Sequence, residues 1–237
     1  MLTSLSSSSK RLTLTLGIAL AACSHADSNR SPAARVAAEP IGEIDERFVA
    51  DVKAAFAAYK TWGRVDDEMR WAPFLCRMPQ PGRPAMSGAA DGAHARKLYS
   101  LFAKEHTAYA ALGNANAPAG SNARAGAQIV AKESFLPEVV ADAPKAQPPS
   151  GSEPPEADHF HPYTTGEDGK TYRASQLVGV YFVIEKSALT SGTDEGFVYG
   201  TVTATGEVTS AGRVSSCMGC HAQAKHRRLF GPVRPTL

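Results

Sequence analysis

Hydrophobic positions are spaced for helices early in the chain and for strands late in it. Between residues 43 and 60, "EIDERFVADVKAAFAAYK", Ile44, Phe48, Val52, Ala55, Phe56 and Tyr59 recur three or four apart. That spacing predicts an amphipathic helix packed on its own domain. Acidic residues in its first turn and a lysine at its end suit the helix dipole. Prolines break residues 71–88, "WAPFLCRMPQPGRPAMSG", which read as loop. A second helix is predicted over 93–111, with Leu98, Leu101, Phe102 and Tyr109 on or near one face. Gly, Asn and Ala dominate 113–126, a predicted loop. In "AQIVAKESF", 127–135, Ile129 and Val130 favour a strand. "LVGVYFVIEKS", 177–187, is dense in β-branched and aromatic residues and predicts another. Residues 196–212, "GFVYGTVTATGEVTSAG", read as a strand, a turn at "TGE" and a further extended piece. The expected class is therefore α+β, an antiparallel sheet with flanking helices.

One stretch has neither period. Residues 137–163, centred on "PKAQPPSGSEPPEAD", are rich in Pro, Ala and acidic residues. They read as a surface loop inserted in the domain, an ordered flap being the alternative. Asp158, His159 and His161 near its end are metal-ligand types, but in a stretch without regular structure they make a poor case for a metal site.

Composition bounds the partners. The chain has 237 residues, 43% hydrophobic and 20% charged, with net charge +2. Such a near-neutral balance argues against nucleic acid as a partner. Residues 1–23 read as a signal peptide. Lys10 and Arg11 precede an apolar run from Leu12 to Ala22, shorter than the ~20 residues a membrane span needs. The run ends in "LAAC", which resembles a bacterial lipoprotein signal, with Cys23 as the lipidated mature N-terminus. Ser24 follows, with no Asp there to suggest inner-membrane retention. The expectation is a periplasmic protein anchored to the outer membrane through Cys23, with 24–42 as a flexible tether and 43–237 as the domain. With Cys23 lipidated and two cysteines acting as a pair, Cys76 is left alone and reads as a buried small apolar residue.

The chemistry sits at the end. "SSCMGCHAQAKHRRLFGP", 215–232, contains C-x-x-C-H, the attachment pattern of a c-type haem. Cys217 and Cys220 would form thioethers with the porphyrin, and His221 would be the proximal iron ligand. A thioredoxin-like redox pair would open a helix in an early βαβ unit, which is absent. Zinc would need a further ligand at suitable spacing. No methionine follows Met218 to serve as a sixth ligand; Met69, Met78 and Met86 lie far upstream. The expected cofactor is one haem c per chain, with an open axial position. Arg227 and Arg228 read as solvent charges beyond the motif, haem propionates being their other candidate partners.

The late motif and the β-rich segments before it resemble the cytochrome P-460 family and its relative cytochrome c′-beta. "ARKLY" (95–99) with "AYAAL" beyond it, "AQIVAKES", "LVGVYFVIEKS" and "VSSCMGCH" carry the resemblance over roughly residues 50–232. It implies a homodimer, a redox partner protein, and binding or oxidoreduction of hydroxylamine or nitric oxide. Lys132 stands where cytochrome P-460 has a lysine cross-linked to the porphyrin; the alternative is a strand-end lysine paired with a carboxylate or propionate. Arg96 looks like the family's distal-side arginine, or else is a surface arginine. Where the family has a proton-accepting glutamate, Tyr181 or Phe182 stands here, and Glu185 falls on a different step of the strand. A phenol, with pKa near 10 against about 4.3 for Glu, favours the gas-binding type over proton abstraction. The enzyme reading therefore stays open beside a nitric-oxide-binding protein and a plain electron carrier.

Overall fold

In the computed structural model, which describes residues 43–72, 76–88, 95–112, 128–145 and 153–232, seven strands form one antiparallel sheet. In chain order the elements are α1 (Glu46–Trp62), α2 (Glu68–Trp71), β1 (Ala85–Met86), β2 (Leu98–Ala103), α3 (His106–Ala111), β3 (Ile129–Val140), β4 (Tyr163–Thr165), β5 (Thr171–Glu185), β6 (Phe197–Thr203), β7 (Val208–Gly212) and α4 (Ser215–His221). The sheet order is β1-β2-β3-β5-β6-β7, with β4 added to the outer half of β5. The fold class is α+β, as expected. The signal peptide, Cys23 and the tether lie outside the described residues.

Helix α1 forms where its period predicts. Asp45 caps it, its side chain accepting from the Arg47 backbone N–H at 3.1 Å, and Gly63 ends it at φ +72°. Phe48, Val52, Ala55 and Tyr59 are buried against Phe102, Ala131, Phe182, Ile184, Val198 and Val202 of the sheet. Full burial of such side chains stabilises by about 1.5–3 kcal/mol each before entropy is counted. Gly200 permits the close approach: a Cβ there would meet the Val52 methyls at 2.6 and 2.8 Å.

The predicted helix over 93–111 is corrected. Residues 98–103, "LYSLFA", form strand β2, and only His106–Ala111 are helical. Leu98, Ser100 and Phe102 are buried on one side and alternate with half-buried Tyr99 and Leu101, so period two wins over the apparent helical face. The 137–163 segment is corrected in part. Its first residues continue β3 against β5, past register shifts on either side of Phe135 up to Pro137. A proline, lacking an N–H, is tolerated at such an irregularity. Its last residues dock: Gly82 and Phe160 form a bridge, and the Phe160 ring lies 3.9 Å from the Arg64 guanidinium. Asp158 pairs with Arg64, and His159 bonds Asp67 through both its backbone N–H and Nδ1. Residues 146–152 lie outside the described set.

Candidate functional site

The face of the sheet away from α1 carries polar side chains. Strand alternation sends the adjacent residues of "VAKES" to opposite sides: Glu133 faces α1, and Lys132 faces away. Lys132 is in register with Tyr181 on β5 and Leu101 on β2, and its Nζ lies 4.2 Å from the Tyr99 ring centroid. Lys97, just before β2, reaches the same patch and donates to the Tyr181 hydroxyl at 3.4 Å. Burial, and then the Lys97 charge, bring the Lys132 ammonium down to about 8. Roughly a tenth of it is then free amine at pH 7.

Helix α4 brings the terminal motif to this face. Val214, Cys217 and Met218 pack with Val130, Tyr199 and Leu229. Neither motif cysteine is in a disulfide, and a separation of three residues puts them on one side of the helix. His221 ends the helix. Its Nδ1 lies 2.6 Å from the Arg228 carbonyl oxygen. A carbonyl only accepts, so Nδ1 carries the proton and donates, and Nε2 keeps a bare lone pair. Burial holds the imidazole below its ordinary range, aided by the Lys132 and Arg228 charges and opposed by the Arg228 carbonyl and Asp194. A neutral ring of fixed tautomer is the state a metal ligand requires. The Tyr199 and Phe230 rings flank it at 5.4 and 5.1 Å.

The tail after the motif is tied down, which corrects its reading as solvent charge. Arg228 forks onto Asp194, Nε to Oδ2 at 2.7 Å and Nη2 to Oδ1 at 2.9 Å. The Tyr199 hydroxyl donates to the same carboxylate at 2.8 Å. Burial pushes Asp194 up, but the Arg228 and Tyr199 hydrogen bonds outweigh it and hold the carboxyl below its ordinary range. Arg227 donates to Glu185 at 2.7 Å. Sequence reasoning missed Asp194 and Tyr199. "SGTDEGFVY" reads as a turn and a strand, and nothing local marks Asp194 as the partner of Arg228 or Tyr199 as the neighbour of His221.

The remaining candidates sort by face. Tyr181 shares the face of Lys132, whereas Phe182 is buried against Tyr59 beneath α1. Phe182 is thereby removed as a candidate. Glu185 shares the parity of Tyr181; Arg227 engages its Oε1, while its buried Oε2 has no hydrogen-bond partner among the described residues. Arg96 is exposed, in a turn at φ +45°, while its neighbour Lys97 is the cation that meets Tyr181. Met69 is buried, and Met78 and Met86 are exposed. Cys76 is exposed rather than buried, because its proline-broken loop offers no element to cover it. His161 packs on the Tyr163 ring and does not join His159 and Asp158 as ligands.

The donor set fits a c-type haem: two cysteines outside any disulfide, three residues apart, and next to the second an imidazole whose Nδ1 is bonded to a carbonyl. Among the described residues no three His, Cys, Asp or Glu side chains converge as a protein-only metal site. A haem iron asks for only one such ligand, because the porphyrin supplies its equatorial nitrogens. Also among the described residues, no helix is long and apolar enough to cross a membrane. Neither a protein-family model nor a curated protein matches this chain, so the case for the site rests on its own residues.

Proposed function

We propose that this protein is an exported mono-haem c-type cytochrome of the cytochrome P-460 type, with an open axial site for hydroxylamine or nitric oxide. The observation that carries the reading is the state of His221 within C-x-x-C-H: Nδ1 donates to the Arg228 carbonyl, leaving Nε2 free to ligate. Cys217 and Cys220 would tether one haem per chain. The haem would supply an iron centre able to exchange an electron and to bind a small ligand. In this reading the domain is held at the outer membrane through lipidated Cys23, pairs as a homodimer and exchanges electrons with a partner protein.

Lys132 and Tyr181 are the side chains proposed to meet the cofactor or its ligand. Burial leaves part of the Lys132 amine unprotonated, and it would face the porphyrin edge in that form. The nitric-oxide-binding alternative gains support from the same face. Tyr181, Lys97 and protonated Lys132 are hydrogen-bond donors, and the carboxylate that shares their parity, Glu185, has its Oε1 held by Arg227. Donors stabilise a bound ligand but take no proton from it.

The decisive experiment is a pyridine haemochrome assay on denatured protein, with absorption spectra of the reduced native form. Covalent haem is expected in the wild type and should disappear when Cys217→Ala and Cys220→Ala are combined. Haem that stays attached in the double variant would refute the assignment. A Soret band at the ordinary reduced c-type position would exclude the Lys132 cross-link. Failure of the reduced protein to take up nitric oxide or carbon monoxide would exclude the open site.

A further inference from the structure

We infer that Asp194 and Arg228 form a clasp that positions the proximal histidine, so that two residues outside the C-x-x-C-H motif set the strength of its metal bond. The inference rests on the haem reading. The carbonyl that accepts from His221 Nδ1 belongs to Arg228, and the Arg228 side chain is what anchors that peptide. Both oxygens of Asp194 are engaged by the guanidinium, and the two side chains are 8% and 15% exposed. The fork is rigid and bidentate, and partial burial keeps water from substituting for either partner.

Asp194 is itself fixed to the sheet. It exchanges backbone hydrogen bonds with Phe197, N to O at 2.8 Å and O to N at 2.9 Å, at the entrance to β6. Its side chain also accepts from the Tyr199 hydroxyl, and the Tyr199 ring flanks the His221 imidazole. Asp194 thus reaches His221 twice, through the Arg228 backbone and through the Tyr199 ring. The return of the chain from α4 reinforces the placement. His226 and Leu229 exchange backbone hydrogen bonds, and Leu229 is buried with Tyr199 and Val214.

A donated Nδ1–H gives the imidazole partial imidazolate character, which strengthens its bond to a metal and favours the oxidised state. Loosening the carbonyl should weaken that bond and raise the midpoint potential. Asp194 and Arg228 are positioning residues, since neither has an atom that must touch the cofactor.

The test uses full-length haem-loaded protein in three variants, Arg228→Ala, Arg228→Lys and Tyr199→Phe. Pyridine haemochrome measures covalent loading, and resonance Raman reads the iron–histidine stretch of the reduced protein beside its midpoint potential. Arg228→Ala should lower the stretch and raise the potential with the haem still attached, and Arg228→Lys should fall between it and the wild type. Tyr199→Phe removes one hydrogen bond to Asp194 at constant shape. Should Arg228→Ala fail to fold, Tyr199→Phe decides the matter, with a smaller shift in the same direction expected. Loaded variants with the wild-type stretch and potential would overturn the clasp. A wild type without covalent haem would instead overturn the cofactor reading beneath it.

Discussion

The two faces of the sheet are built from the same strands and end differently. Under α1 the face is closed: Val52, Phe102, Phe182 and Val198 interlock, and the buried Glu133 carboxylate has three partners. Glu133 accepts from the Tyr59 hydroxyl at 3.0 Å and from Arg64 at 3.2 Å, and it pairs with Lys60. On the other face Leu101, Lys132, Val183 and Thr201 stay half-buried, and the helix that approaches them brings Cys217, Cys220 and the His221 imidazole, its Nδ1 bonded to the Arg228 carbonyl. Charge is buried on both sides. Under α1 the protein supplies the partners itself. On the far side Arg227, Arg228 and Lys97 meet Glu185, Asp194 and Tyr181, while the half-buried Lys132 ammonium lies over the Tyr99 ring.

The contrast is tested most severely on the closed side. Glu133→Ala should leave the 4%-exposed Arg64 guanidinium with Asp158 as its remaining carboxylate. Losing one partner of a buried pair costs about 3–5 kcal/mol. The urea midpoint should fall accordingly, and an unchanged midpoint would show that the Arg64 network carries little stability. Gly200→Ala should follow, at about 1–3 kcal/mol from overpacking, because its Cβ would press on stiff, β-branched Val52 in a close-packed interface.

The open side predicts the smallest effect, and one of opposite sign. The folded state holds Lys132 near 8 against an ordinary 10.5. Between those values the unfolded chain binds more protons, so Lys132 costs stability below pH 8 and that cost is relieved as pH rises toward 10.5. With partial exposure discounted, haem-free protein should gain about 1 kcal/mol across that window, and Lys132→Met should lack the gain. Identical pH profiles for the two proteins would show that the lysine is not held at a depressed value. The buried tyrosines shift the other way and act only above pH 10.

Local pattern was enough for α1, for the β6–β7 hairpin with its turn at Gly206 (φ +93°), and for the placing of strands at Ile129 and Leu177. It failed at 93–111, where apolar residues satisfy both periods and only pairing with β3 chose between them. It failed also after Leu136, where prolines suggested a loop although an irregularity let the strand continue.

The candidate site divides in the same way. C-x-x-C-H is a local motif, and its donor set was legible in five consecutive residues because two thiols three apart and an adjacent imidazole need nothing beyond them. Lys132 and Tyr181 were legible as strand residues; their meeting depended on β3–β5 register, which a slip of one residue would have reversed. Exclusion of Phe182 followed from the same register. The state of His221 was legible nowhere in the motif. It depends on a carbonyl seven residues on, held by a carboxylate from the loop before β6. Covalent order along the chain fixes which atoms can react. Partners brought together across more than twenty residues exist only once burial has made their mutual hydrogen bonds preferable to those with water.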